Sequence, residues 1–488
     1  MAIKNPSPQQ VAIFEEFRNG TGHLVLDARA GTGKTTTILE GIEFAPEARI
    51  VMCAFNKVIA EELKTRLRNP RASARTLHSL GNGIVISRWG RVTIDEKRGQ
   101  RIAAKAIGVK NPPREIPILV KNTAAIGKNV APFATVEQLK DLAVDFDFVP
   151  ENKDLMAGEE PWTVEQIASA AHKAMELATE RDGTIDFDDM VFLPVRMAWA
   201  RPQFDLVVID ESQDMNFTQI RLAQMVCNSR GRIVVVGDPY QAIYGFRGAD
   251  SGSMARLEEE LSAKRLGLTT TYRCPKKVVE MAQRYVADFH AAETAPDGVI
   301  RNSTAEKILD EAQPGDFVLS RTNAPLARIC LRFLRNGKKA IIRGRDIGKG
   351  LLKIVEKLEA QNIPELMKLL GAWEHNTIET LEAQDASDSK IEFVHDQAAT
   401  LRDLSVGLAS IAELRSRLES LFSDNNIGSA IICSTVHKAK GLESERVFIL
   451  EKTLFPGGRT HDEEERNIAY VAITRSKNEL VMVEDLPS

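Results

Sequence analysis

A run of apolar residues from His23 to Ala28 leads straight into Ala28-Arg29-Ala30-Gly31-Thr32-Gly33-Lys34-Thr35 and then into a helical stretch. A strand, a loop of small residues and a helix in immediate succession leave few folds open, because the loop amides must converge at a helix N-terminus. Such a loop wraps phosphate. Ala30, Gly31, Thr32 and Gly33 permit close backbone approach, Lys34 reaches the β and γ phosphates, Thr35 offers a hydroxyl to Mg²⁺, and Thr36 follows in the same turn. Ala28 stands where the pattern has its first glycine and is still small.

Strand and helix keep alternating beyond the loop: His23 to Ala28, Lys34 to Ile42, Ile50 to Phe55, Lys57 to Leu67. That rhythm predicts a parallel sheet with crossover helices. It stops near Gly81 and resumes at Phe204 to Asp210 and Arg232 to Gly237. A second block runs through Asp316 to Ser320, the helix Ala324 to Arg335 and Lys339 to Arg343. It resumes at Ala430 to Thr435, Arg446 to Glu451, a helix from about Glu463, and Glu479 to Val483. The expected architecture is α/β, with residues 1–82 and 186–270 as one core carrying a helical insertion at 83–185. Residues 271–345 and 428–488 form the second core, with a small helical insertion at 346–427.

At 488 residues the chain is long enough for several domains. Its 43% hydrophobic and 27% charged residues exclude a disordered or membrane-embedded class. The apolar runs are strand-sized, and Met1 to Gln10 lacks a signal-peptide pattern, so an intracellular, cytoplasmic protein is expected. The five cysteines are scattered without metal or redox spacing. Net charge of −4 decides little, because a groove can be locally basic. Between Arg91 and Lys128 nine basic residues face three acidic ones, which suits phosphates or, equally, a solvated helix surface.

The second half of a nucleotide site is Leu206-Val207-Val208-Ile209-Asp210-Glu211. A buried strand ending in two acids puts Asp210 where it can hold a metal and Glu211 where it can orient or deprotonate a water. The competing reading is a pair of acids that caps the next helix. Together these halves do not separate a motor from a kinase or a switch.

The segment just beyond the second half separates them. Gly237-Asp238-Pro239-Tyr240-Gln241-Ala242-Ile243-Tyr244-Gly245-Phe246-Arg247-Gly248-Ala249, after Asp210-Glu211-Ser212-Gln213-Asp214, strongly resembles the UvrD/Rep/PcrA family of superfamily 1 helicases. Further matches occur in the family's order: Thr76 to Leu80, Ile185 to Asp189, Thr271-Tyr272-Arg273, Ser434 to Glu443, and Ala469 to Arg475. They span almost the whole chain, and the ordered set is far more specific than any member.

The resemblance implies two RecA-like cores of the P-loop type that use ATP and Mg²⁺. Gln10 would read the adenine edge, Tyr272 would stack on the ring, and Glu443, beside Gly441, would contact the ribose. Gln241 and Arg273 would sense the γ phosphate, and Arg475 would act as an arginine finger. Read alone, Tyr272 suits a core position and Arg475 a surface ion pair. For the nucleic-acid path the matching residues are Phe55, His78, Tyr244, Phe246, Arg247, Thr435, His437 and Lys440, with Arg321 and Asn323. Aromatic faces stack on any base and amines bind phosphate, which suits sequence-blind walking.

The implied activity is ATP-driven 3′-to-5′ movement on single-stranded DNA, with unwinding at single-strand/duplex junctions, by a protein that can act as a monomer. Alternatives are a translocase that displaces bound proteins with little unwinding, an RNA-directed relative, and a nucleotide-gated binding module. Two departures limit the transfer. Asn56-Lys57-Val58 is one position out of step after Phe55, and the second insertion, about 80 residues, is only the size of a small domain. The chain also ends soon after Arg475, which predicts no tail for a partner motif or fused nuclease.

Overall fold

A computed structural model describes residues 3–150, 152, 160–243, 253–383, 388–422, 429–455 and 462–486. The chain divides into two compact units: residues 1–29 with 33–268, and residues 30–32 with 269–488.

The first unit is built on a six-stranded sheet of β1 (Leu24–Ala28), β2 (Ile50–Ala54), β3 (Ala72–Thr76), β4 (Phe204–Ile209), β5 (Cys227–Gly237) and β6 (Lys264–Leu268). Their spatial order is β3-β2-β4-β5-β1-β6, and every pairing is parallel. Successive side chains go to opposite faces, so each strand feeds two cores. Val25, Val51, Cys53, Val207, Ile209 and Val235 pack on one side. Leu24, Leu26, Met52, Val208 and Val234 pack on the other, against Ile13, Phe17, Ile38 and Ile42 of flanking helices. Full burial of each such side chain contributes about 1.5–3 kcal/mol, which is why these strands are nearly continuous apolar runs. β5 begins at Cys227 rather than at Arg232, because the chain pairs with β4 again beyond an irregularity between Phe204 and Leu206.

Between β3 and β4 the chain builds a helical layer from Arg98–Ile107, Ile116–Val130, Val136–Asp145 and Val164–Ala178. It has its own apolar cluster, which includes Val120, Leu139, Ile167 and Met175. Two of the nine basic residues read as surface charges, whether phosphate-facing or merely solvated, point inward instead. Arg98 and Lys128 are buried, and both donate to Asp189, at 2.5 and 2.7 Å. Lys128 also lies 3.5 Å from Asp186. Arg101 pairs with Asp95, and Lys105 with Glu180. The helical layer is stitched to the core nearby: Thr218 Oγ1 donates to the Lys128 carbonyl at 2.7 Å, and Asn216 Nδ2 to Asn129 Oδ1 at 2.9 Å.

The second unit repeats the plan with β7 (Val299–Ser303), β8 (Phe317–Ser320), β9 (Ala340–Ile342), β10 (Ile431–Thr435), β11 (Ser444–Leu450) and β12 (Ser476–Val483). Their order is β7-β12-β11-β8-β10-β9, again parallel throughout. The described helices between β9 and β10 share a core with this sheet. Leu351, Leu366, Leu401, Leu404 and Leu418 belong to one continuous cluster with Ile329 and Phe333 of the helix Ala324–Arg335 and with Ile342 and Cys433 of the strands. No helix among the described residues is long and apolar enough to cross a membrane.

Burial pushes the Asp189 carboxyl up, but Lys128 and Arg98 outweigh it and hold the group below its ordinary value of 3.8. Its stabilising contribution is therefore intact at neutral pH and is lost only as strong acid protonates it. Asp189→Ala leaves two buried cations facing a void and is expected to cost about 3–5 kcal/mol. Urea unfolding at neutral pH measures this, and a loss below about 1 kcal/mol, the level of an exposed pair, would show that the cluster is not a structural hub.

Candidate nucleotide and nucleic-acid sites

Within each unit, several of the described residues singled out in the sequence follow the C-terminal ends of parallel strands, where ligands collect in open α/β sheets. In the first unit β1 ends in the phosphate loop, and the helix Lys34–Phe44 starts from Gly33, whose φ of 76° is left-handed. Gly31 is also left-handed, with φ 69°, so both glycines are required by the backbone. Lys34 Nζ lies 2.8 Å from Glu211 Oε1. Burial alone would pull this ammonium down, but the charges of Glu211, Asp210 and Asp238 raise it, so it stays a cation.

Asp210 follows β4 and is buried, and burial, reinforced by the charge of Glu211, pushes its carboxyl up to about 6. Glu211 adopts φ 53°, an uncommon region for a residue with a side chain and one often found at functional sites. Its other oxygen accepts from Gln213 Nε2 at 2.6 Å, and Gln213 Oε1 accepts from the Asp238 N–H at 3.2 Å. Asp238 Oδ2 then accepts from Gln241 Nε2 at 2.7 Å. A continuous polar chain thus joins Lys34 to Gln241 beneath the strand ends. It passes so close to β5 that a Cβ on Gly237 would run into Gln213 Oε1 and Ser212 Oγ. Asp210 and the Thr35 hydroxyl are hard oxygen donors of the kind Mg²⁺ takes, usually as one or two carboxylates completed by substrate phosphates.

Gln10 is buried, and both ends of its amide are engaged. Oε1 accepts from the Ser7 N–H at 3.0 Å within a capping box, and Nε2 donates to Thr37 Oγ1 at 3.0 Å. Thr36 Oγ1 accepts from Arg66 at 3.1 Å. Phe55 directly follows β2 and is half-buried. His78 lies in the first turn of Leu77–Trp89, capped by Thr76. Burial lowers the His78 imidazole pKa, against an opposing pull from Asp188, so the ring is neutral at pH 7. Tyr244, Phe246 and Arg247 lie outside the described residues.

One further candidate escaped the sequence reading. Phe187, next to Asp188, is 53% exposed. An aromatic ring held in solvent is a surface on which a base can stack. The available signal was its position between Asp186 and Asp188, a setting poorly suited to a core phenylalanine.

In the second unit three predicted residues come together. Arg273 Nε donates to Glu443 Oε2 at 2.5 Å. Arg475 is 1% exposed and donates to the carbonyls of Val471 and Leu442 at 2.8 and 3.1 Å and to Thr474 Oγ1 at 3.1 Å. Burial, then the like charge of Arg273, push the Arg475 guanidinium down to about 10, so it remains charged at neutral pH. Tyr272 beside them is 54% exposed, and Gly441 is left-handed with φ 83°.

Thr435 ends β10 and caps the helix Val436–Ala439, with His437 on that turn and Lys440 just after it. Arg321 and Asn323 follow β8. Arg321 holds both oxygens of buried Glu465 at 2.8–3.1 Å. Asp396, from the inserted helix Asp388–Ser405, accepts the N–H groups of Asn323 and Ala324 and the Asn323 amide at 2.7–2.9 Å. Both side chains therefore already anchor their own loop.

Residues 7–262 match the UvrD/REP helicase N-terminal domain, and residues 348–485 match the UvrD-like helicase C-terminal domain. The chain is 23% identical to the ATP-dependent DNA helicase PcrA of Staphylococcus epidermidis, over 97% of its own length and 82% of that protein. It is 24% identical to the ATP-dependent DNA helicase UvrD2 of Mycobacterium tuberculosis, over 94% of its length and 76% of that protein. It is 26% identical to the F-box DNA helicase protein 1 of Schizosaccharomyces pombe, over 98% of its length and 57% of that protein. With two parallel-sheet RecA-like cores and a match covering more than half of its residues, the chain belongs to the UvrD/REP helicase family.

Proposed function

We propose that this protein is an ATP-driven DNA helicase that moves 3′ to 5′ along single-stranded DNA and unwinds duplex at junctions. The observation that carries the reading is the polar chain from Lys34 through Glu211, Gln213 and Asp238 to Gln241. A phosphate-binding cation and a segment leading to the expected strand contacts share one hydrogen-bonded framework.

In this reading ATP occupies the loop of Ala30 to Thr36, with Gln10 and Tyr272 at the base and Gly441 and Glu443 at the ribose. Thr35 and Asp210 would hold Mg²⁺, which would supply positive charge to offset that of the phosphates. Lys34 binds the terminal phosphates, and Glu211 orients the attacking water and takes its proton. Gln241, Arg273 and Arg475 contribute donors where charge develops on the γ phosphate, so they lower the barrier only when gathered around it. Phe55, His78, Tyr244, Phe246, Arg247, Thr435, His437 and Lys440 grip the strand, and alternating affinity through the nucleotide cycle advances it. Arg321 and Asn323 shape the loop after β8 and reach the strand mainly through its backbone.

Two substitutions test the chemistry. Lys34→Ala is expected to abolish nucleotide binding, whereas Glu211→Gln is expected to keep it and lower DNA-stimulated hydrolysis by about 10²-fold or more. Fluorescent-nucleotide titration and steady-state phosphate release measure the two effects. Movement on DNA and RNA strands labelled at either end tests track and direction. Comparing strand displacement with displacement of a bound protein separates a helicase from a translocase that strips proteins.

The neutral state of His78 makes a second prediction. His78→Ala should weaken single-strand binding without changing the slope of log K against log salt at pH 7.5. Lys440→Ala should reduce that slope by about 0.7, the value for one lost phosphate contact on a single strand. Equal slope changes in the two variants would contradict a neutral His78.

A further inference from the structure

Arg29 sits inside the phosphate loop, yet wrapping a phosphate with backbone amides makes no use of its side chain. The guanidinium does not reach into solvent. It is buried, and its surroundings include Asp27, with which it forms an ion pair, Asp238 Oδ1 at 3.8 Å, and the ring of Tyr240, whose centroid is 4.7 Å away. The Arg29 N–H donates to the Leu268 carbonyl at 2.8 Å, which anchors this point of the loop to the edge strand β6. Asp27 is itself braced by Arg265 at 2.8 Å.

Only a planar guanidinium can pair with carboxylates along its edge while laying its face on an aromatic ring. The partners on its far side belong to the turn after β5. Asp238 accepts the Tyr240 N–H at 3.2 Å and the Gln241 side chain at 2.7 Å, and the same turn is joined to Lys34 through Gln213 and Glu211. Arg29 therefore closes a ring of contacts that leaves the phosphate loop at Lys34 and returns to it five residues earlier. Six residues beyond Gln241 in sequence the chain has passed Tyr244, Phe246 and Arg247, the residues expected at the strand.

We propose that Arg29 is a positioning residue that locks the Asp238–Gln241 turn to the base of the phosphate loop, so that nucleotide in the loop and strand engagement are communicated through one buried cation. This role rests on the proposed helicase activity and adds a coupling element to it. Its physical content is that the ring and the cation act together, because the Tyr240 face lies, with Asp238, on the turn rather than on β1.

The test is the ratio of ATP hydrolysis with saturating single-stranded DNA to hydrolysis without it, measured on the full chain. The variants are Arg29→Gln, Arg29→Lys, Tyr240→Leu and Tyr240→Phe, each with a thermal melt. Losing the ring contact should lower the ratio about three- to tenfold in Tyr240→Leu, the range expected for a partly exposed cation–aromatic pair. Tyr240→Phe, which keeps the ring, should retain the wild-type ratio. Arg29→Gln should fall at least as far as Tyr240→Leu, and Arg29→Lys should lie between. The loss should appear in the maximal stimulated rate, not in the DNA concentration giving half stimulation, which a merely local loosening of the strand site would change.

If Arg29→Gln does not fold, the Tyr240 pair decides. Should wild type be stimulated by DNA and Tyr240→Leu match its ratio, the coupling role of Arg29 is overturned while the helicase reading stands. Absence of stimulation in wild type overturns both.

Discussion

The charge on Lys34 is the constraint on which the rest of the first unit's strand-end apparatus depends. Removing an ammonium from water is costly unless carboxylates and hydrogen bonds replace the solvent. Here the replacement is Glu211 at 2.8 Å, with Asp210 and Asp238 behind it. Those acids are themselves buried and crowded, so Asp210 and Asp238 are both pushed up to about 6. The arrangement stays charged because each carboxylate is shared: Glu211 between Lys34 and Gln213, Asp238 between Arg29, Gln241 and the backbone. A site assembled this way responds as a unit, since changing the charge at one member alters the solvation of the next.

The two units solve the insertion problem differently. In the first, the added helices bury an apolar cluster that includes Val85, Phe192 and Leu193 of the helices Leu77–Trp89 and Asp189–Arg196, and buried charges of Asp189 with Arg98 and Lys128 add to that junction. In the second, the added helices complete the apolar face of the sheet, so their leucines and those of the Ala324–Arg335 helix form one core. The first junction combines apolar contact with a buried charge cluster, whereas the second is a continuous apolar core. Asp396 shows a consequence of the second plan: a carboxylate from an inserted helix fixes the backbone of Asn323 and Ala324 at the end of β8. A loop expected to meet the strand is thereby shaped by the insertion.

The parts legible in the sequence were those governed by local rules. Apolar runs of strand length marked nine of the twelve strands of the two large sheets, because a strand covered on both faces has little room for polar side chains, whereas the more polar edge strands β3, β6 and β7 went unmarked. Lys34, Asp210 and Glu211 were recognisable because a phosphate loop and a strand ending in acids need particular residue types at particular offsets, whereas Gln241 came from the family resemblance. The ordered series of motifs pointed to the family for the same reason. Arg98 and Lys128 were misleading, since a basic residue in a helical stretch reads as a surface charge until its buried partner is known.

What the tertiary structure alone decided was which distant charges meet. Strand order β3-β2-β4-β5-β1-β6 puts the end of β5 beside the end of β1, and only that adjacency turns Arg29 from one residue of the phosphate loop into the neighbour of Asp238 and Tyr240. It likewise brings Asp189 to Arg98 across 91 residues of chain and Asp396 to Asn323 across 73. Chemistry carried within a loop is written in residue spacing, whereas the cost of burying a charge is settled by neighbours that folding supplies from elsewhere in the chain.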